Sequence, residues 1–230
     1  MTPLLLLPGL LCDAALWAAQ AAAFSAKRTV AVASLTHHET VAGMAARALA
    51  EAPPRFALAG LSMGGYVALE IMRQAPERVE RLALLDTAAR PDTPEQVERR
   101  QGLIQLAEMG KFKGVTPRLL PLLLHRDRLD EQPLTEAVMA MAERVGKSAF
   151  IRQQKAIMSR PDSRPDLPRI ACPALVLCGR QDALTPLDRA EEIAAGIPGS
   201  TLVVVEECGH LSTMERPAAV NAALADWLAA

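Results

Sequence analysis

Ala59-Gly60-Leu61-Ser62-Met63-Gly64-Gly65 joins an apolar run, Phe56–Leu61, to a helix-like stretch, Gly65–Gln74. Its central five residues match the pattern G-x-S-x-G, in which the serine occupies a sharp strand-to-helix turn. The residues two positions either side of that serine must approach each other closely, so they need to lack Cβ atoms. The segment therefore predicts a nucleophile elbow with Ser62 as the nucleophile. The glycine spacing does not fit the phosphate-binding pattern G-x-G-x-x-G.

Short apolar runs recur along the chain and alternate with helix-like segments, which predicts a mostly parallel, doubly wound α/β sheet of about six strands. The runs do not alternate apolar with polar residues, so we expect strands buried on both faces. The predicted strands are Leu4–Leu7, Thr29–Ala33, Phe56–Leu61, Leu82–Asp86, Leu175–Gly179 and Thr201–Val205. The predicted helices between them are Ala14–Phe24, Val41–Ala52, Gly65–Gln74, Leu187–Ala195 and Ala218–Leu228.

A region without strand candidates interrupts this alternation between the fourth and fifth predicted strands. Prolines crowd both of its ends, as expected where a segment leaves and rejoins a core. It predicts a helical cap formed by residues 89–165, with residues 1–88 and 166–230 as the core. Its predicted helices are Thr93–Gly110, Thr116–Leu124, Pro133–Val145 and Gly146–Ser159.

A serine hydroxyl needs a base within hydrogen-bond reach to act as a nucleophile. His210 follows the last predicted strand, and parallel strands bring such loops to the sheet edge that carries Ser62. His210 is therefore the predicted base. His37 and His38 also follow a strand, and we expect them near the mouth of a pocket rather than at a metal. For His125, in the insertion, the sequence favours a solvated or packing role.

The base needs a carboxylate that fixes its tautomer. Asp182 follows the fifth predicted strand and gives the chain order Ser, Asp, His, so it is the preferred candidate. Asp86, at the end of the fourth strand, is the alternative, and Asp182 could instead cap the helix that begins near Pro186. The oxyanion formed at the substrate carbonyl needs two amide donors. We expect them from Met63, at the serine turn, and Leu10, in the loop after the first strand.

The amino-acid composition limits the classes of binding partner that we expect. The formal net charge is −1, the basic residues are scattered, and only seven residues are aromatic, so neither nucleic acid nor an acidic membrane is an expected partner. The four cysteines have no metal-ligand spacing and predict buried or half-buried thiols, with no metal and no cofactor. The apolar start of the chain has no preceding basic residues and is interrupted by Pro8-Gly9, which favours a strand over a secretion signal and predicts a cytoplasmic protein.

The chain resembles the α/β-hydrolase family, within it the small lid-bearing esterases, lactonases and cofactor-free haloperoxidases. The motifs that carry the resemblance are Ala59–Gly65, Gln74–Leu85, Gly179–Pro186 and Gly209–Pro217. The resemblance implies a helical cap between the family's sixth and seventh strands, at the position of the insertion.

Three departures from the family pattern alter the loops around this site. Pro8-Gly9 replaces the usual His-Gly of the oxyanion loop, and the shorter Ser34–Thr40 replaces the usual Asp-x-x-Gly-x-Gly-x-Ser segment. The chain also begins at the family's third strand, which is why the sheet is expected to have about six strands.

These features predict a serine hydrolase that cleaves a small carboxylic ester through an acyl-serine intermediate, as a monomer or homodimer. An enol-lactone or lactone hydrolase, or a perhydrolase, would use the same triad. A small-ligand-binding protein without turnover is the alternative from another class, and a nucleotide-binding protein is disfavoured because no phosphate-cradling motif is present.

Overall fold

The strands form one parallel sheet, as the sequence predicts. They are β1 (Leu4–Leu7), β2 (Val30–Val32), β3 (Phe56–Leu61), β4 (Val79–Leu85), β5 (Ala174–Gly179) and β6 (Thr201–Val205). The computed structural model describes residues 1–229, and its six strands lie in the order β2-β1-β3-β4-β5-β6. The chain therefore reverses direction across the sheet between β1 and β3. Such a switch point is where open α/β sheets bind ligands, beyond the carboxyl ends of the strands.

The two edge strands differ from the expectation of burial on both faces. β2 is half-buried to exposed along its length, and β6 is fully buried only at Val205. Every residue of β1, β3 and β5 is buried. The prediction was wrong for β2 and β6 because an apolar run of three to five residues does not show whether its strand lies at the centre or the edge of a sheet.

Most helices lie where the sequence places them, with small shifts at their ends, whereas the short helix Ser212–Glu215 was not predicted. They are α1 (Ala18–Phe24), α2 (Val41–Glu51), α3 (Met63–Gln74), α4 (Pro94–Leu106), α5 (Leu120–Leu123), α6 (Gln132–Met158), α7 (Leu187–Gly196), α8 (Ser212–Glu215) and α9 (Pro217–Ala229). α3 begins at Met63, directly after the serine, two residues earlier than expected. Ala14–Trp17 forms a 3₁₀ helix instead of the first turn of α1.

Side chains alternate between two apolar layers, one on each face of the sheet. Leu5 and Leu7 point into a cluster with α2, α3 and α7, whereas Leu4 and Leu6 pack with Trp17 and with α9. Because successive strand residues face opposite sides, a run of four leucines contributes to both layers. Apolar packing on both faces holds the central strands in place, and it therefore also positions the loops at their carboxyl ends.

Helices connect β4 to β5, and their boundaries differ in detail from the sequence expectation. α4 ends at Leu106 and continues as a π-helical turn, Ala107–Lys111, while the predicted helix Thr116–Leu124 is a 3₁₀ turn followed by α5. The predicted boundary between two helices at Gly146 is present as a break inside α6, where this glycine has φ +75°.

The division into a core and a cap at residues 88/89 and 165/166 stays a prediction. Within residues 1–229, no helix is both long enough and apolar enough to cross a membrane.

Candidate active site

Ser62 occupies the turn between β3 and α3 in a backbone conformation that few residues other than glycine adopt, with φ +56° and ψ −117°. Its N–H donates to the carbonyl of Leu85 at 3.0 Å, and its own carbonyl accepts the hydroxyl of Thr87 at 2.8 Å. Such backbone strain costs about 1–3 kcal/mol and persists only where surrounding contacts hold it. The side chain is half-buried and lines a cavity.

The glycines on either side of Ser62 are required sterically. A Cβ atom on Gly60 would lie 2.3 Å from the carbonyl oxygen of Gly64, and one on Gly64 would lie 2.1 Å from the carbonyl oxygen of Leu7. Both neighbours are backbone atoms, which cannot move aside without displacing a strand or a helix. The close approach that the sequence pattern implies is therefore present.

The imidazole of His210 is hydrogen-bonded to the carboxylate of Asp182. The Nδ1 atom lies 2.9 Å from Oδ1 and 2.8 Å from Oδ2. Asp182 follows β5 and His210 follows β6, so neighbouring parallel strands bring the two together at the same sheet edge. His210 lines the same cavity as Ser62, with its ring buried to 3% exposure.

The carboxylate of Asp182 is held by its own loop as well as by the histidine. It accepts the N–H groups of Leu184 and Thr185 at 2.8 and 2.9 Å, and the hydroxyl of Thr185 at 2.7 Å. The aspartate therefore organises the turn before α7 while it orients the imidazole. From the sequence, capping of the next helix and orientation of the imidazole were alternative roles for Asp182. One carboxylate has enough lone pairs for both roles.

Opposite charges shift both pKa values in this pair. Burial by itself would lower the pKa of His210, but the negative charge of Asp182 and the hydrogen bond to it outweigh burial and raise this pKa above its usual value. Burial would raise the pKa of Asp182, yet the attraction of His210 and the hydrogen bonds from Thr185 lower it. Asp182 thus stabilises the protonated form of His210, as an orienting acid must.

Asp86, the alternative acid, lies next to this pair but is bonded elsewhere. It is fully buried, has φ +45°, accepts the N–H of Gly179 at 2.8 Å and accepts the hydroxyl of Ser212. Burial, and then the charge of Asp182, raise its pKa well above the usual value. No hydrogen bond joins it to His210 in the described part of the chain, so the geometry favours Asp182.

Asp86, Cys178 and Asp182 place three potential metal-ligand atoms within 4.8 Å of one another. Burial and the two nearby carboxylates raise the pKa of the Cys178 thiol, which therefore keeps its proton at neutral pH. Both carboxylates already accept hydrogen bonds from protein donors. Cys178 Sγ also donates to the carbonyl of Gly179 at 3.2 Å, so the cluster fits a hydrogen-bonded support for the loops better than a metal site.

The loop after β1 lies against the serine turn. A Cβ atom on Gly9 would come within 3.4 Å of the Cβ of Ser62, and Leu10 lines the cavity beside it. The N–H groups of Leu11 and Cys12 donate to Gln153 Oε1 and to the carbonyl of Gly9. The N–H of Leu10 donates to no acceptor among residues 1–229, so it stays available to an oxyanion.

The cavity at the carboxyl ends of the strands has a volume of about 470 Å³. The insertion supplies much of its wall with leucine, valine and methionine side chains. His37 and His38 do not line it, so the expectation that they lie at its mouth was wrong. The ring of His38 packs instead against the start of α2 at Gly43. A wider depression of about 590 Å³ lies at the opposite edge of the sheet, near Thr2 and Arg81.

The remaining candidates have packing roles. His125 is buried, and its backbone N–H donates to Glu215 Oε2 at 2.7 Å. All four cysteines are free thiols, three of them buried and Cys172 half-buried, as the sequence predicts.

Comparison with known proteins agrees with this geometry. The sequence model of the Alpha/beta hydrolase family matches residues 4–223. The chain belongs to this family.

Two curated proteins are similar in sequence to this alpha/beta hydrolase. It is 28% identical to 3-oxoadipate enol-lactonase 2 of Acinetobacter baylyi, over 74% of this chain and 62% of that protein. It is 27% identical to pimeloyl-[acyl-carrier protein] methyl ester esterase of Nitrosomonas europaea, over 72% and 68%. The first match thus spans less than two thirds of the relative's length.

Solved structures superpose over the whole chain. A thermophilic esterase from Thermogutta terrifontis, solved with malate bound, has a TM-score of 0.89 and 30% identity, covering 100% of this chain and 90% of that one. The enol-lactonase from Burkholderia xenovorans LB400 has a TM-score of 0.88 and 26% identity, covering 100% and 92%. The alpha/beta-hydrolase fold predicted from the sequence is therefore confirmed.

Sequence reasoning missed two groups of residues in this alpha/beta hydrolase. The first group consists of Gln153 and Glu215. Gln153, on α6, is fully buried, and its hydrogen bonds join the loop after β1 to the loop after β2. Glu215 accepts the N–H of Gly209, the residue before His210. The partners of Gln153 lie 142 and 118 positions away, and Glu215 also accepts the backbone N–H of His125, 90 positions away, so no local pattern identifies these roles. The second group consists of arginines in the cavity wall, which the sequence shows only as scattered basic residues.

Proposed function

We propose that this alpha/beta hydrolase is a serine esterase that cleaves a small carboxylic ester through an acyl-serine intermediate. One observation carries the proposal: Ser62, on its strained turn, and His210, bonded to Asp182, line the same cavity. The proposed catalytic residues are Ser62, His210 and Asp182, with the amides of Leu10 and Met63 as oxyanion donors. The esterases among its relatives and structural neighbours support the same reaction.

In the proposed first half-reaction, Ser62 Oγ attacks the ester carbonyl while the free ring nitrogen of His210 takes its proton. Negative charge develops on the carbonyl oxygen, and the N–H groups of Leu10 and Met63 are the donors proposed to stabilise it. As the tetrahedral intermediate collapses, His210 returns the proton to the leaving alkoxide, and the acyl group stays on Ser62.

In the second half-reaction, water attacks the acyl-serine with His210 again as the base. The carbon–oxygen bond to Ser62 breaks, and Ser62 recovers its proton from His210. The products are the alcohol released first and the carboxylic acid released last. Asp182 stays ionised throughout and stabilises the imidazolium formed in each half.

Labelling with an alkyl fluorophosphonate tests the nucleophile. We expect one label per chain on wild type and none on Ser62→Ala. Ser34→Ala, which changes an exposed serine outside the cavity, is the matched control and should be labelled like wild type. Wild type that takes no label would favour a ligand-binding protein without turnover, and label on Ser62→Ala would assign the nucleophile elsewhere.

Lactone hydrolysis is the second candidate, since enol-lactonases occur among both the relatives and the structural neighbours. The same acylation and deacylation steps open a lactone, except that the leaving alkoxide stays attached to the acyl group. Comparing kcat/KM for p-nitrophenyl esters of increasing chain length with values for five- and six-membered lactones separates the two. A preference for lactones of more than about tenfold in kcat/KM, or about 1.4 kcal/mol, would assign the protein to the lactonases.

A further inference from the structure

The cavity beside Ser62 has two chemically different walls. One wall is apolar and comes from α5, α6 and the segment before α5. Its side chains include Leu119, Leu122, Leu123, Val138, Met141 and Phe150. The other wall is formed by the segment after β4, the start of α4, the end of α6 and the start of α7, and it is rich in arginine.

Among residues 1–229, five arginines line the cavity, but only one carboxylate does. They are Arg90, Arg99, Arg100, Arg160 and Arg189, and the carboxylate belongs to Asp92. The chain as a whole has a net charge of −1, so this excess is local and does not follow from composition. A charged cleft with low-dielectric walls concentrates the potential that a ligand meets.

Three of these arginines are already paired. Arg100 Nε and Arg160 share Asp92, at 2.7 and 2.8 Å, and Arg90 forms a two-pronged pair with Glu192 on α7. Two guanidinium groups on one carboxylate still leave a net positive charge. The Arg160 group also stacks 4.2 Å above the ring of Tyr66, which fixes its position.

The other two arginines have charge available for a ligand. Arg99 forms no salt bridge within residues 1–229. Within this described part of the chain, Arg189 pairs only with its sequence neighbour Asp188, at 3.4 Å, and the carboxylate of Asp188 is itself more than half exposed. Ion pairs of this exposed kind contribute little, so a better-placed carboxylate can replace Asp188. A guanidinium group binds a carboxylate through two parallel N–H donors.

We infer that the substrate of this site is an ester or lactone that also carries a free carboxylate, which Arg99 and Arg189 bind at the arginine-rich wall. The inference rests on the proposed function for the reaction at Ser62 and adds the substrate class. The apolar wall then contacts the carbon chain that joins the scissile carbonyl to the carboxylate. A cavity of about 470 Å³ has room for such a small molecule.

Competition between two ligands of nearly identical shape tests the inference. Monomethyl adipate carries a free carboxylate, and methyl 5-carbamoylpentanoate replaces it with a neutral amide. Each competes with p-nitrophenyl butyrate, so that binding is measured even where turnover is slow. In wild type at low salt we expect the anion to compete at least about tenfold more strongly, the size of one or two charge-assisted hydrogen bonds.

The arginines are tested with the double variant Arg99→Gln/Arg189→Gln. We expect most of the preference for the anion to be lost, because competition by the anion weakens while competition by the neutral amide changes less. Arg169→Gln, which removes an exposed arginine outside the cavity, is the matched control and should keep the preference. Raising the salt from about 0.05 to about 0.5 M should weaken the preference in wild type and in Arg169→Gln.

Equal competition by anion and amide in wild type would overturn the inference, and so would a preference that survives in the double variant. A different set of results would show that the proposed function itself is wrong. In that case wild type neither hydrolyses p-nitrophenyl butyrate nor takes the fluorophosphonate label. The same two ligands, measured by calorimetry, then still show whether the cavity prefers an anion.

Discussion

His210 has to be neutral to take the proton of Ser62, so its pKa sets the acid limit of the proposed reaction. The charge of Asp182 holds this pKa above the usual value of about 6.5. The neutral fraction falls as the pH drops below the pKa. We therefore expect kcat/KM for an ester to decline with falling pH from an inflection above about 6.5.

The measurement is a pH profile of kcat/KM, together with the NMR titration of the His210 ring in Ser62→Ala. Replacing Asp182 by Asn removes the charge that raises the pKa, so the ring of the double variant should titrate at lower pH. An inflection below about 6, or a ring pKa that does not respond to Asp182→Asn, would contradict the proposed coupling.

Asp182 and Asp86 provide a matched pair of substitutions. Asp182→Asn removes the negative charge and replaces one acceptor oxygen with an NH2 donor, which favours the wrong tautomer of His210. We therefore expect a loss of about 10²–10⁴-fold in kcat with the fold intact. Asp86 has a pKa far above its usual value, so an amide of the same shape resembles its neutral form. We expect Asp86→Asn to change kcat by less than about tenfold.

Steady-state kinetics and circular dichroism on both variants check this prediction. A large loss of kcat in Asp86→Asn and a small one in Asp182→Asn, both with native spectra, would exchange the roles of the two carboxylates.

At the scale of elements, helix α6 supports the loop that carries the proposed oxyanion donor. Gln153 accepts the N–H of Leu11 at 3.0 Å and donates to the carbonyl of Leu35 at 3.1 Å. Leu11 itself has φ +58°, so this hydrogen bond holds a strained loop conformation next to Leu10. We call Gln153 a positioning residue, because it acts on the reaction through this loop.

Gln153→Leu leaves two buried backbone groups without partners. We expect it to lower the free energy of unfolding by about 1–3 kcal/mol. It should also lower kcat more than it raises KM, because the oxyanion forms only after the substrate has bound. Urea unfolding and steady-state kinetics measure the two effects. Unfolding energy lost with kcat unchanged would restrict Gln153 to a purely structural role.

At the scale of the whole molecule, one buried ion cluster joins three separate segments. Asp92 follows β4, Arg100 lies on α4 and Arg160 follows α6, and their side chains are 2%, 15% and 8% exposed. Burial would raise the pKa of Asp92, but hydrogen bonds from Arg100 and Arg160 lower it below its usual value. The cluster therefore stabilises the fold above the unfolded pKa of about 3.9 and loses this contribution as the pH falls through the lowered folded pKa.

Asp92→Asn leaves two mostly buried guanidinium groups without a counter-charge. We expect it to lower the free energy of unfolding at neutral pH by about 3–5 kcal/mol, with a difference from wild type that shrinks in acid. Glu192→Gln breaks the more exposed pair with Arg90 and is the control, with an expected cost below about 1 kcal/mol. Urea unfolding at several pH values measures both. Equal costs for the two variants would rule out a special role for the buried cluster.

Much of the fold follows from the sequence, since the signals that specify it are local. Continuous apolar runs, the glycines around Ser62 and the helical stretch after it identify the strands, the turn and the parallel sheet. The break in α6 is visible because Gly146 interrupts a helical pattern. Edge and central strands were not distinguished, because that difference depends on which neighbours pair.

The sequence by itself determined the order of the elements and the candidates Ser62, Asp182 and His210, because each follows a strand and parallel strands end at one edge. The tertiary structure decided which carboxylate faces the histidine and that Gln153 supports the loop at Leu10. It also gathered scattered arginines into one cavity wall. These contacts join residues up to 142 positions apart, and only the packing of the insertion over the sheet brings such residues together.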